Sequence, residues 1–130
     1  ARSETLLMTV VHGSKDESSN SQIDESFCLF GQSLGFCQTV THFTGTSQYS
    51  LENMFEKLNP QDFQRVILFP YFLFSGVWVK RVQALADTFR RKYPDTEFLN
   101  ASCLKYHTRI VDTLIHRARE SISNSEKNRL

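Results

Sequence analysis

"TLLMTVVHGSKDESSN" (Thr5–Asn20) decides the architecture. Its first seven residues form an unbroken run of apolar and β-branched side chains. That is the pattern of a strand covered on both faces, because a strand wet on one face alternates. "HGSKDESSN" is a polar turn around Gly13. Beyond it Ile23, Phe27, Phe30 and Leu34 recur at helical spacing, and Gly35 stands where a helix would stop. A buried strand, a tight polar turn and an amphipathic helix make the repeating unit of a parallel sheet.

The same alternation continues outward. "FCQTVTHF" (Phe36–Phe43) reads as a second strand and "TGTSQYS" as a loop. Ser50 is placed to cap a short helix with Leu51, Met54, Phe55 and Leu58 on one face, ended by Asn59-Pro60. "RVILFPYFLF" (Arg65–Phe74) is the most apolar run, but Pro70 lacks the N–H a ladder needs, so regular pairing should stop near Phe69. Val82, Leu85 and Phe89 mark a third helix that ends before Tyr93-Pro94. "TEFLNAS" (Thr96–Ser102) reads as a fourth strand, and Ile110, Val111, Leu114, Ile115, Ala118 and Ile122 as the stripe of a long last helix. "SISNSEKNRL" is polar and expected to fray. The expectation is an α/β fold in three layers, with a four-stranded, mostly parallel sheet covered by helices on both faces. One domain over residues 1–122 and a polar tail over 123–130 are expected.

Composition excludes several classes. A net charge of +1 gives no general reason to expect nucleic acid or an anionic membrane surface. No apolar run approaches the roughly 18 residues a spanning helix needs, and no basic-then-apolar leader opens the sequence. Cys28, Cys37 and Cys103 are odd in number and lack zinc-knuckle spacing. They read as reduced, mostly buried thiols of a cytoplasmic protein.

Parallel α/β folds bind ligands beyond the carboxyl ends of their strands. That rule selects His12–Asn20, His42–Gln48, Phe74–Arg81 and Ser102–His107. His12 follows the first strand directly, and an imidazole there can take a proton or bind a divalent metal. The bland alternative is a histidine hydrogen-bonded into its own turn. Ser14, Asp16 and Ser18 can cap the helix that follows. His42 and His107 map to the same edge, whereas His116 sits mid-helix as a surface residue. Lys15, Lys80 and Arg81 are cations near that edge. They suit an acidic ligand, or simply a solvated face. No P-loop, GxGxxG or nucleophile motif is present.

"LLMTVVHGSKDESSN" and "VILFPYFLFSGVWVKRV", with "CLKYHTRIVDTLIHRARE" after them, resemble the short sirohydrochlorin chelatases of cobalamin and siroheme synthesis. The likeness covers nearly the whole chain in order. It implies a chelatase-type fold, a homodimer, and a carboxylate-rich tetrapyrrole as substrate. It also implies insertion of a divalent metal, Co²⁺ or Fe²⁺, with release of two pyrrole protons and no permanently bound cofactor. His12 matches the family's first functional histidine, as base or metal ligand. His42 and His107 are candidate additional ligands. Ser14, Lys15, Ser75, Gly76, Trp78, Lys80 and Arg81 become the candidate substrate contacts.

Three departures accompany the resemblance. Trp78 stands at the family's second histidine, and Val82 at the acidic position after it. Gly45 and Gln48 stand at the two acidic positions that follow the second strand. The indole of Trp78 only donates, so it cannot ligate a metal, but its face can stack on a macrocycle. Three readings therefore stay open: a divergent chelatase, a relative that binds tetrapyrrole or metal without catalysis, and a flavodoxin-like module that holds a small anion at the His12 turn.

Overall fold

The computed structural model describes residues 4–45, 50–105 and 107–128. Four parallel strands, β1 (Thr5–His12), β2 (Gln38–Thr44), β3 (Arg65–Pro70) and β4 (Glu97–Asn100), lie in the order β2-β1-β3-β4. The helices between them are α1 (Glu17–Ser33), α2 (Leu51–Lys57) and α3 (Val77–Lys92), and α4 (Thr108–Asn128) follows β4. A single turn of 3-10 helix, Pro60–Asp62, precedes β3.

β1 is hydrogen-bonded on both sides and buried from Thr5 to Val11, as its continuous apolar run requires. One sheet face carries Leu6, Met8 and Val10 of β1, Val66 and Leu68 of β3 and Phe98 of β4. It packs against Leu51 and Phe55 of α2 and Val82, Leu85, Ala86 and Phe89 of α3. The Phe55 and Phe89 rings stack at 4.9 Å between centroids. Arg90 fastens α3 to the sheet edge, donating from Nε and Nη2 to the Phe98 carbonyl at 3.0 and 2.9 Å.

The opposite face holds Leu7, Thr9 and Val11, all buried. On it Thr9 Oγ1 donates to Thr41 Oγ1 at 2.8 Å, which satisfies a polar pair inside the sheet. α1 lies on this face, with Phe27 edge-on to Phe69 at 6.1 Å. Its cover stops there: Ile67 and Phe69 are half-buried and Leu99 of β4 is exposed.

The expected elements are present, with four differences at their ends. The ladder runs through Pro70, which pairs with Val10, and the next N–H, on Tyr71, still donates to the Val10 carbonyl at 2.9 Å. Proline at the last ladder position loses only its own donor. β2 and β4 are shorter than their apolar runs. His107 lies just before α4, not within it. The polar stretch expected to fray is helical as far as Asn128. Of the three thiols expected to be mostly buried, the structure buries Cys103 alone, with Cys37 exposed.

Gly31 is buried where α1 crosses β2, and a Cβ there would lie 1.9 Å from Thr39 Oγ1 and 3.1 Å from Thr39 Cβ. Gly31→Val is therefore expected to lower stability by about 1–3 kcal/mol through overpacking. Thermal unfolding followed by circular dichroism checks this; an unchanged midpoint would mean that α1 does not press on β2.

Candidate active site at the carboxyl edge of the sheet

Because the strands are parallel and in register, their carboxyl ends meet at one edge. His12 sits opposite Thr44, and Leu68 opposite Asn100. Gly13 N–H donates to the Thr44 carbonyl at 3.0 Å, which closes the β1 and β2 ends together. Past β3, the chain bonds to the segment after β4: Leu104 N–H donates to the Phe72 carbonyl at 2.9 Å, and Lys105 N–H to that of Leu73. The rim is thus a set of loops held by backbone bonds.

His12 is exposed on this rim, with Nδ1 3.4 Å from Thr44 Oγ1. The turn after it is closed by local bonds. Ser14 Oγ accepts from Asp16 N–H at 3.1 Å, and Ser14 N–H donates to Asn20 Oδ1 at 3.0 Å. Ser14 is thereby occupied in shaping the turn. Asp16 caps α1: Ser19 Oγ donates to it at 2.9 Å and Ser18 N–H at 3.0 Å. The Ser19 bond, then that of Ser18, holds the Asp16 carboxyl below the usual carboxylate value. A carboxylate already on the first-turn amides repels an incoming anion, which argues against the anion-binding reading of this turn. Lys15 is exposed beside it.

The three histidines do not converge. His42 lies within β2 and is 3% exposed, with Nδ1 buried and unpartnered. Burial pushes its pKa down, with an opposing pull from Glu52. His107 is exposed, but its Nδ1 accepts from Arg109 N–H at 3.3 Å at the start of α4. Among the described residues no group of three His, Cys, Asp or Glu is placed to hold a metal ion. The physical reason for His42 is register: it pairs with Val10, one full strand repeat below the rim. His116 is the surface residue expected, 3.2 Å from Glu120.

Ser75 and Gly76 are exposed at the start of α3, where Gly76 is the N-cap. Trp78 is half-buried in the first turn, and the Arg81 guanidinium stacks on its ring with Cζ 4.4 Å from the centroid. Lys80 is exposed. Val82, which the resemblance matches to an acidic position, is fully buried in the core under α3. Gly45 has a φ of +82°, a backbone state glycine adopts without strain. Gln48 lies outside the described residues. Sequence reading missed the apolar wall between these groups: Tyr71, Leu73, Phe74 and Val77 are all exposed along the rim. Its signal was the apolar run that continues past Pro70 after the ladder has ended.

The family model CbiX matches residues 6–121. The chain belongs to the CbiX family. It is 23% identical over 124 residues to the sirohydrochlorin cobaltochelatase of Priestia megaterium, covering 95% of this chain and 40% of that protein. It is 23% identical over 121 residues to the chloroplastic sirohydrochlorin ferrochelatase of Arabidopsis thaliana, covering 92% and 54%. The chain therefore spans about half or less of these relatives. Among solved structures, SirB from Bacillus subtilis with Fe³⁺ superposes with a TM-score of 0.75 at 17% identity, over 98% of this chain and 50% of that one. A putative cobalamin biosynthesis CbiX protein from Marinobacter aquaeolei superposes with a TM-score of 0.65 at 14% identity, over 92% and 98%. At these identities the structures establish the shared fold.

His42 yields a pH prediction for this CbiX chain. In the unfolded chain its imidazole takes up a proton as pH falls below about 6.5. In the fold burial holds it neutral to lower pH, so the unfolded state binds more protons and stability falls as pH falls through that window. Chemical denaturation between pH 7.5 and 5 should show this loss, and His42→Gln should lessen it. An identical slope in the variant would assign the acid sensitivity to other groups.

Proposed function

We propose that this protein inserts a divalent metal, Co²⁺ or Fe²⁺, into a sirohydrochlorin-type tetrapyrrole, and that it works as a homodimer. The observation that carries the reading is His12, an exposed imidazole at the carboxyl end of the central strand, in a chain of the CbiX family. Insertion replaces two pyrrole N–H protons by one M²⁺, so the balanced reaction is macrocycle plus M²⁺ to metallo-macrocycle plus two protons. The His12 imidazole supplies a base for those protons, or a ligand that hands over the metal. Metal and macrocycle are both substrates.

The surrounding rim suits such a ring. Tyr71, Leu73, Phe74 and Val77 offer apolar surface. Trp78, braced by Arg81, offers an aromatic face to stack on. Lys15, Lys80 and Arg81 offer charge to the ring's carboxylates. Three free thiols suit a reducing, cytoplasmic setting. Among the described residues no helix is long and apolar enough to cross a membrane.

One observation favours a second reading, a tetrapyrrole-binding relative without catalysis: tryptophan and buried valine stand at Trp78 and Val82, where the family carries a histidine and an acid. Absorption spectroscopy of purified protein with sirohydrochlorin and Co²⁺ or Fe²⁺ separates the two. A metal-dependent spectral change faster than in buffer is expected, and His12→Ala should slow it by about 10²-fold or more. Binding shifts without acceleration would leave only the second reading. Trp78→Ala should weaken macrocycle binding about tenfold, the scale of one lost aromatic contact. Unaltered affinity in a titration would remove Trp78 from the ring's platform.

A further inference from the structure

We propose that Thr44 is the positioning residue for His12: its buried hydroxyl accepts from the Nδ1–H of the ring and so leaves the Nε2 lone pair to the rim. The inference rests on the chelatase reading above and names what orients the working nitrogen.

Register brings the two side chains together. Thr44 is the last residue of β2 and His12 the last of β1, and the ladder pairs them. Paired residues of neighbouring strands point to the same face of a sheet, so ring and hydroxyl leave the ladder side by side. The backbone of Thr44 is pinned twice. Gly13 N–H donates to its carbonyl at 3.0 Å, and Gly45, at a φ of +82°, turns the chain immediately after it. Thr44 is 1% exposed, whereas His12 is exposed. A β-branched side chain is stiff at χ1, and burial stiffens it further. Oγ1 is therefore a fixed point against which a solvent-facing ring can set itself, and His12 Nδ1 lies 3.4 Å from it. His42 makes the contrast. It stands two residues earlier on the same strand, buried, and its Nδ1 has no partner. The sheet supplies a hydroxyl to Nδ1 of the exposed ring and nothing to Nδ1 of the buried one.

The chemistry fixes the direction of the bond. A neutral imidazole carries one N–H and one lone pair, and the partner of one nitrogen decides which sits where. A ring that ligates a metal through Nε2 must hold its proton on Nδ1. A ring that takes a pyrrole proton on Nε2 carries a proton on both nitrogens. Both states need an acceptor at Nδ1, and Thr44 Oγ1 is the side-chain oxygen the fold places there. The proton taken up at Nε2 leaves from Nε2 to solvent, while the Nδ1–H stays on Thr44 throughout. This is the arrangement by which a group behind a histidine sets its tautomer and raises its basicity.

Two substitutions test it. Thr44→Val keeps the branched shape and removes the hydroxyl, and Thr44→Ser keeps the hydroxyl. ¹⁵N NMR of the ring above about pH 8, where an ordinary imidazole is neutral, reads the tautomer without metal or macrocycle. The Nδ1–H form of His12 should predominate in the wild type and in Thr44→Ser, and decline in Thr44→Val. With sirohydrochlorin and Co²⁺, Thr44→Val should lower kcat about 10- to 100-fold, the scale of losing a bond behind a ligating histidine. KM for the macrocycle should stay unchanged, and Thr44→Ser should recover most of the rate. A wild-type ring mainly in the Nε2–H form overturns the proposal whatever the variants do, since the hydroxyl would then be the donor. So does a tautomer population that Thr44→Val leaves as it was, or a loss of rate that Thr44→Ser shares in full, which would assign the effect to packing. Because the tautomer is read on the free protein, a wild type that does not accelerate insertion counts against the chelatase reading, and the tautomer alone counts for or against Thr44.

Discussion

Parallel pairing on both sides of β1 is the constraint from which the rest of the molecule follows. A strand bonded to β2 on one side and β3 on the other has no edge, and with both faces dry it must carry apolar residues at every position. Its buried faces then demand helices above and below, and parallel neighbours demand a helical crossover between each pair of strands. Those crossovers place every strand's carboxyl end at one rim. His12 is functional in the proposed reading because it is the first residue of β1 that this burial releases to solvent.

The two layers over the sheet are unequal. α2 and α3 close one face with a stacked aromatic core. α1 closes only the β1–β2 half of the other, pinned by its contact at Gly31 against Thr39. Two apolar surfaces stay exposed among the described residues: Leu99 on the open half of that face, and the stripe Val111, Leu114, Ile115 and Ile122 of α4.

The rim departs from the family's pattern in a coherent way. Val82 is core, so no acid can sit there without burying an unpaired charge. Trp78 carries Arg81 on its face, so the position that would hold a ligand holds instead a flat, positively capped platform. In the proposed reading the balance of the site shifts from metal ligation toward ring recognition, and among the described residues His12 is the rim histidine neither bonded into a cap nor buried in the sheet. Ser14, a candidate substrate contact in the sequence, is occupied with the turn, and Asp16 caps α1 as its position suggested.

Strand and helix positions, their parallel order and the edge where the strands' carboxyl ends meet were legible in the sequence because each depends on local periodicity and on which side chains abhor water. Val82, Leu85 and Phe89 behaved as their spacing foretold, and Ser50 caps α2. The last helix was equally legible, but not its isolation, because periodicity states that a face is apolar and not what will cover it. The grouping of His12, His42 and His107 was a one-dimensional inference that register undid: two residues of strand length separate buried from exposed. By itself the sequence determined the fold, the rim and the family. Tertiary structure alone decided which histidine is buried in the sheet and which apolar surfaces remain exposed, since both depend on distances between segments far apart in the chain.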